Sequence, residues 1–513
     1  MIAAWGVEDV RAAEKAAMAD LPDGELMARA AKGLAKVLEA RISDVPEARV
    51  VGLVGSGGNG GDTLFALARL ARADERRELL AGIAAVLVSD RGAHEAGLAT
   101  AREAGVDVVD LSGGADDALD AACDLVAEAD VLVDGITGIG GSPGWSDSVA
   151  GRCRALFDAT DDEAYVVAVD LPSGADPAGL VLDSEGVWAD ETVTFGVAKP
   201  VHLLGTAPRC GLLTLVDIGL EMATAPVAET LDHDDVAALW PVPGPDDDKY
   251  SRGVLGVVAG GESYTGAPVL AVTAAVAAGA GMVRYLGPPT PTGLVRATVP
   301  EAVHGTGRVQ AWTVGPGLDA SVAEDDDADE GDVRQVTTAR EALDSGLPCV
   351  VDAGALDLLD GQRPRAGART LLTPHAGELA RLLSRVEDAE ITREDVTADP
   401  VGHARRAANA LHATVLLKGS TTYVVPPEVS GLPVRVSSDA PAWLATAGSG
   451  DVLAGLAGML LAAGLDPYDA GGVAATVHGL AGHEANSGGP VRALDVAHAL
   501  PRTITALLRH AAS

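Results

Sequence analysis

Ala447-Gly448-Ser449-Gly450-Asp451, running directly into Val452-Leu453-Ala454-Gly455, is the stretch on which the reading of this chain turns. The glycines and the serine bend the backbone, and the apolar run from Val452 to Ala463 predicts a buried helix. A helix that begins in such a turn presents free backbone N–H groups, which hold phosphate or a developing oxyanion. Asp451 stands at the positive end of that helix, where its ionised form is favoured. A carboxylate beside an anion cradle can take a proton from a hydroxyl while phosphate is delivered to that hydroxyl. The pentapeptide alone fits equally well a structural turn with Asp451 as helix cap.

The whole chain sets the bounds. Its 513 residues favour two or more domains, each able to bury a large core. Aromatics are only 3% of a composition that is 48% hydrophobic, so the cores rest on Ala, Val and Leu. No run of about 18 apolar residues predicts a membrane span, and MIAAWGVEDVRAAEK lacks the pattern of a secretory signal. A cytoplasmic location is therefore expected. Cys123, Cys153, Cys210 and Cys349 are scattered without zinc or CxxC spacing and read as ordinary thiols. A formal charge of −37 leaves no basic footprint for nucleic acid. Only six of the 37 basic residues are lysines, a balance suited to concentrated salt, where repulsion is screened. The few lysines are thereby worth locating.

Apolar segments alternate with Ala-rich helical patterns through both halves. Strands are predicted at 49–54, 83–88, 106–110, 130–134 and 165–170, after a helical region over 13–41 interrupted at Pro22-Asp23-Gly24. The Pro- and Asp-rich stretch over 221–250 marks a break, giving domains 1–226 and 227–513. Further strands are predicted at 254–259, 311–314, 348–352, 369–372, 414–418 and 421–425, and an exposed acidic loop at 323–332. The alternation predicts mainly parallel sheets covered by helices on both faces. Ligands on such sheets sit at the carboxyl ends of the strands.

Glycine-rich turns fall at those ends. Gly55-Ser56-Gly57-Gly58-Asn59-Gly60-Gly61-Asp62 follows a strand and opens a helix, letting backbone amides approach a pyrophosphate. It is not a GxGxxG dinucleotide fingerprint followed by an acidic residue about 20 positions on, and it lacks the GKS or GKT ending of a P-loop. Asp134-Gly135-Ile136-Thr137-Gly138-Ile139-Gly140 and Asp170-Leu171-Pro172-Ser173-Gly174 end two further strands. Asn59, Asp134 and Ser173 would offer only oxygen ligands if they converge, which suits a hard cation; singly each fits a turn or cap. In the second half, Leu372-Thr373-Pro374-His375-Ala376-Gly377-Glu378 sets a histidine at a strand-end corner, and Lys418-Gly419-Ser420-Thr421-Thr422 joins two strands with a loop able to grip phosphate or ribose. Gly315-Pro316-Gly317, Lys249-Tyr250-Ser251-Arg252-Gly253 and Tyr264-Thr265-Gly266-Ala267-Pro268 complete that half's turns.

GNGGD, DGITGIG and VDLPSG, with ELMARAAKGLA over 25–35, closely resemble the N-terminal YjeF domain, the NAD(P)H-hydrate epimerases. The resemblance implies a Rossmann-like three-layer fold. It implies that Gly58, Asn59, Gly60, Gly61, Asp62, Gly138, Ile139, Gly140, Gly141, Ser142, Pro143 and Gly144 line the hydrated nucleotide. A potassium ion on Asn59, Asp134 and Ser173 is implied, with Asp170 contacting substrate as acid/base and Lys199 of FGVAKP assisting. Lys199 reads equally as a surface residue. One departure is Ala30-Ala31 where the family has Ala-Gly.

The second-half motifs, with AGSGDVLAG, resemble the ADP-dependent NAD(P)H-hydrate dehydratases of the ribokinase-like α/β group. The resemblance implies that Ala267, Gly317, His375 and Asp451 contact the hydrate, and that Lys418, Gly419, Ser420, Thr421, Thr422 and Gly450 contact the adenine nucleotide. Ser449 replaces the family's usual Thr and keeps the hydroxyl. ADP as phosphoryl donor and magnesium are expected. The expected partners are the small molecules NADHX, NADPHX and ADP, with no membrane and no nucleic acid; a homo-oligomer is left open. The rival reading is a ribokinase-like small-molecule kinase fused to a non-catalytic nucleotide-binding module.

Overall fold

The computed structural model describes residues 1–74, 80–182, 184–324, 329–360 and 367–511. They divide into two compact units, Ala3–Ala228 and Glu229–Ser513, with Met1–Ile2 counted in the second.

The first unit is built on a seven-stranded sheet in the order 107–110, 80–87, 48–54, 131–135, 165–169, 191–195, 212–216. Every neighbouring pair is parallel. Period-two alternation decides which face each side chain serves. Val50 and Val54 enter a core with Leu34, Leu38, Leu64 and Leu67 from helices Glu25–Ile42 and Gly58–Asp74. Val51 and Leu53 enter the opposite core with Ala122, Val126, Cys153 and Leu156 from helices Asp116–Ala127 and Ala150–Ala159. The sheet is thus covered on both faces. Its order reverses beside strand Ala48–Val54, and the chain leaves neighbouring strand ends in opposite directions there, which opens a crevice.

The second unit is built on a larger sheet. Its parallel part runs 414–417, 370–372, 349–351, 311–314, 254–258, 282–286 and, at one edge, 303–304. Strands Thr422–Val425 and Val434–Ser437 extend it in antiparallel fashion. Helix Ser449–Ala462 is buried continuously from Val452 to Ala462. Its glycines explain how a helix apolar all round fits there. A Cβ on Gly455 would lie 2.1 Å from the Ala271 carbonyl oxygen, and one on Gly458 1.9 Å from Thr313 Oγ1. The helix therefore lies directly against helix Gly266–Ala277 and strand Ala311–Val314.

Each strand predicted from sequence is present within a few residues of its expected bounds. The helical region over 13–41 is two helices, Val7–Asp20 and Glu25–Ile42, separated at the expected turn. Strands Glu191–Phe195, Leu212–Val216, Met282–Leu286 and Val434–Ser437 were not expected. Met282–Leu286 follows an Ala-rich helix whose apolar run hides where the strand begins. The stretch over 221–250 is not wholly a break, because Asp232 caps a helix over His233–Leu239 through a reciprocal bond with Asp235. Of the acidic run over 323–332, residues 325–328 lie outside the described residues. Asp329 caps helix Glu330–Asp344, so the end of the run is not a loop.

Gly458→Ala drives a methyl group into Thr313, and overpacking of this kind costs about 1–3 kcal/mol. A lowered thermal midpoint is expected; an unchanged midpoint would show that the helix does not depend on this close approach.

Candidate functional site

In the first unit, the turn after strand Ala48–Val54 and the turn after Val131–Gly135 face each other across the crevice. A Cβ on Gly55 would sit 1.9 Å from the Ile136 carbonyl oxygen, so only glycine permits the approach. Between them lies a cavity of about 890 Å³. Gly58, Asn59, Asp62, Gly138, Ile139, Gly140, Gly141, Ser142, Gly144 and Asp170 line it. Gly60, Gly61 and Pro143 do not. Gly60 packs against Gly55, and Gly61 against Met27 and His94.

Asn59, Asp134 and Ser173 do converge. Ser173 donates to both oxygens of Asp134, from Oγ at 2.6 Å and from its backbone N at 2.7 Å. Thr137 N donates to Ser173 Oγ at 2.9 Å. Asn59 Nδ2 donates to the carbonyls of Thr137 at 3.0 Å and Val169 at 2.5 Å. Complete burial pushes the Asp134 carboxyl up to about 6, against the lowering effect of the Ser173 bonds.

Asp170 adopts φ 68°, a left-handed conformation that non-glycine residues hold only under constraint. The constraint is Lys199, only 1% exposed, which excludes the surface reading. Its ammonium donates to Asp170 Oδ1 at 2.6 Å, Thr194 Oγ1 at 2.8 Å and the Phe195 carbonyl at 3.1 Å. Burial alone would raise the Asp170 carboxyl, but Lys199 holds it below the usual range. His202 Nδ1 accepts from Lys199 N at 3.0 Å, and its Nε2 lies 2.7 Å from the Asp170 carbonyl oxygen. Burial, with Lys199 second, lowers the imidazole to about 4, so it is neutral. Sequence reasoning missed Thr194 and His202; the spacing of His202 three residues after Lys199 is the one local signal. It also missed Glu14, which lines the cavity from helix Val7–Asp20.

In the second unit, Asp451 lies in the first turn of helix Ser449–Ala462 and Gly448 precedes it at φ 88°. Asp451, Ala267 and Gly317 line a cavity of about 600 Å³ together with Tyr264. Lys418 Nζ donates to Asp352 Oδ1 at 2.7 Å and lies 3.7 Å from Glu378 Oε2. A Cβ on Gly450 would be 3.2 Å from the same ammonium, so the loop and the helix turn meet. Gly419 and Ser420 are exposed above it. His375 does not line this cavity. Its Nδ1 accepts from the backbone of Gly377 and Glu378, and Glu378 reciprocates to His375 N, so it caps helix Ala376–Glu387. A parallel bridge nonetheless places His375 beside Lys418. Asp352 and Glu378 were not singled out from sequence, although each stands at a recognisable strand end or capping position.

The expectation that the helix terminus keeps Asp451 ionised is corrected. Burial first, then Asp352 and Glu378, push its carboxyl up to about 7 against the opposing pull of Lys418. Charge and desolvation at this depth outweigh a terminus dipole equivalent to about half a charge. Among the described residues, no group of three or more His, Cys, Asp or Glu side chains is arranged to hold a metal ion. Nor is any described helix long and apolar enough to cross a membrane.

A Mycobacterium tuberculosis protein, the bifunctional NAD(P)H-hydrate repair enzyme Nnr, is 42% identical over 479 residues, 91% of this chain and 90% of that one. The chain belongs to the bifunctional NAD(P)H-hydrate repair enzymes. The Mycobacterium leprae member is 41% identical over 487 residues, 92% of each chain. Residues 255–503 match the family model described as NAD(P)H-hydrate dehydratase, and residues 23–201 the model of the YjeF-related protein N-terminus. An NAD(P)H-hydrate epimerase from Microbacterium testaceum is 39% identical over 224 residues, 43% of this chain and 80% of that one.

An unfolded aspartate titrates near ~3.9. The folded state therefore keeps the Asp451 proton up to about 7 and loses stability as pH rises across that window. Asp451→Asn removes this charge, so its melting temperature should gain on the wild type between about pH 4 and about pH 8, by a few kcal/mol at most in stability. A difference independent of pH would show that the carboxyl is not perturbed.

Proposed function

We propose that the chain restores hydrated NADH and NADPH in two steps. The first unit interconverts the R and S hydrates at Asp170 and Lys199. The second dehydrates the S hydrate with ADP, giving NAD(P)H, AMP and phosphate. The observation that carries this reading is the placement of Asp451 at a helix N-terminus, on the cavity of Ala267 and Gly317 and next to the Lys418 ammonium.

Water is a poor leaving group, and phosphorylation makes it a good one. Asp451, with its carboxyl near about 7, takes the hydroxyl proton at neutral pH. The hydroxyl oxygen bonds to the terminal phosphorus of ADP while the bridging P–O bond breaks and its electrons leave with AMP. Phosphate then departs with the C–O electron pair, and loss of a ring proton forms the double bond. Backbone N–H groups at Gly448, Ser449 and Gly450 hold the charge that develops on the transferred group, an effect worth about 3–4 kcal/mol per donor. Lys418, Gly419, Ser420, Thr421, Thr422 and Gly450 grip the nucleotide, and His375 steadies the hydrate beside them. Asp352 and Glu378 offer the oxygen donors magnesium takes; magnesium would neutralise phosphate charge there.

In the first unit, Gly58, Asn59 and Asp62, with Gly138 to Ser142 and Gly144, cradle the hydrated dinucleotide. The oxygen-only set Asn59, Asp134 and Ser173 fits potassium, supported by the two carbonyls already turned onto the Asn59 amide. Potassium there would supply charge opposite the buried Asp134 and order the turns. The setting for both steps is the cytoplasm, where these cofactors are used.

A mixed R/S hydrate should recover the reduced cofactor's absorbance completely with ADP and not at all without it. Asp451→Ala should abolish recovery, by at least ~100-fold in rate, and leave R/S interconversion intact. Recovery limited to the S fraction would mean that the first unit is silent. Replacing potassium by lithium should slow interconversion and lower the first unit's thermal midpoint; indifference of both would remove the ion from the account.

A further inference from the structure

The epimerase reading needs a proton donor, and the residues assigned above supply none. Hydration leaves the hydroxyl on the ring carbon beside nitrogen, because the nitrogen lone pair stabilises positive charge at that carbon. Epimerisation by C–O cleavage therefore starts with a proton reaching the hydroxyl. Asp170 is held as the anion by Lys199 at 2.6 Å. The Lys199 protons are themselves committed to Asp170, Thr194 and Phe195.

Asp62 differs from both. It lies on the first turns of helix Gly58–Asp74, lines the same cavity and is 8% exposed. Its Oδ1 is enclosed without a hydrogen-bond partner among the described residues. No lysine or arginine pairs with it there. The titratable groups facing it are carboxyls, Asp170 from the strand end and Glu14 from helix Val7–Asp20, while Asp90 and Arg91 line the cavity from the next turn. An anion so placed would be desolvated and repelled, whereas a neutral carboxylic acid carries an O–H free to turn toward the cavity.

Resting on the epimerase reading, we propose that Asp62 is the proton donor of the first unit. Its proton passes to the substrate hydroxyl, the C–O bond breaks with its electrons on the departing water, and the nitrogen lone pair closes a C=N⁺ bond. Water adds to the opposite face and Asp170 takes the released proton. Solvent exchange, or turnover of the opposite epimer, returns the pair to its starting state. In support, burial first and then Asp170 and Glu14 raise the Asp62 carboxyl well above the ordinary carboxylate range. Two carboxyls of opposite protonation in one site are a recurrent acid/base arrangement.

The test starts from pure S hydrate with the full chain and no ADP, following appearance of the R form. Asp62→Asn, nearly isosteric, should lower that rate by at least ~100-fold while hydrate affinity by calorimetry and the melting temperature stay close to wild type. Asp62→Glu should recover part of the rate. Wild-type activity should fall as pH rises through the Asp62 titration, and the residual activity of Asp62→Asn should lack that limb. Dehydration of S hydrate on adding ADP should be unchanged in both variants. An Asn variant that keeps more than about a tenth of the rate, or loses rate only through weaker binding, overturns the proposal. Absence of interconversion in the wild type would instead overturn the epimerase reading beneath it.

Discussion

In each unit one lysine ammonium is locked against a buried carboxylate at the carboxyl end of a parallel strand, and the surrounding chemistry depends on that pairing. Lys199 meets Asp170 at 2.6 Å and Lys418 meets Asp352 at 2.7 Å. Removing two ions from water is costly, and only close geometry with further hydrogen bonds offsets it. Thr194 supplies such bonds in one unit and Thr373 in the other. The pairing also has a remainder. With a single cation beside several acids, one carboxyl is neutralised by charge and another by a proton. Asp62 and Asp451 are the carboxyls whose titration is raised, Asp451's to about 7, and a carboxyl that can hold and release a proton is what both proposed steps need.

The folds deliver these groups by one rule. Parallel strands present their carboxyl ends on one edge, so residues remote in sequence meet there. Glycines set how closely the ends approach. Gly55 against Ile136 forms the floor of the first cavity, and Gly455 and Gly458 let the Asp451 helix press into the second sheet. The chain carries 74 acidic residues and only six lysines. Two of those six are Lys199, which is buried, and Lys418, which is part-buried, and each is paired with a carboxylate.

What could be read from sequence followed the range of each interaction. Glycine-rich turns after apolar runs are local, so GNGGD, DGITGIG, VDLPSG and AGSGD stood out with their strand ends and helix starts. The convergence of Asn59, Asp134 and Ser173 needed only the order of parallel strands. Glu191–Phe195 was missed because Glu191, Thr192 and Thr194 are polar, yet all three are buried. Glu14 and Thr194 join the first site through tertiary packing, which no local pattern encodes, and His202 is marked locally only by its spacing from Lys199. The protonation of Asp451 was misjudged for the same reason. Its helix position is local and favours the anion, whereas Asp352 and Glu378, which oppose it, arrive from another strand end and another helix start.

The first loop, taken alone, describes any enzyme that moves phosphate to a hydroxyl. The fused first unit changes what the phosphate is for, since an epimerase in front of the site makes sense only if the hydroxyl is to be expelled. Phosphorylation is then a step toward elimination. The direct measurement is stoichiometry with pure S hydrate and limiting ADP, counting AMP, free phosphate and reduced cofactor together. Equal amounts of all three and no lasting phosphorylated intermediate are expected. A stable phosphorylated hydrate, or AMP formed without recovered cofactor, would contradict it.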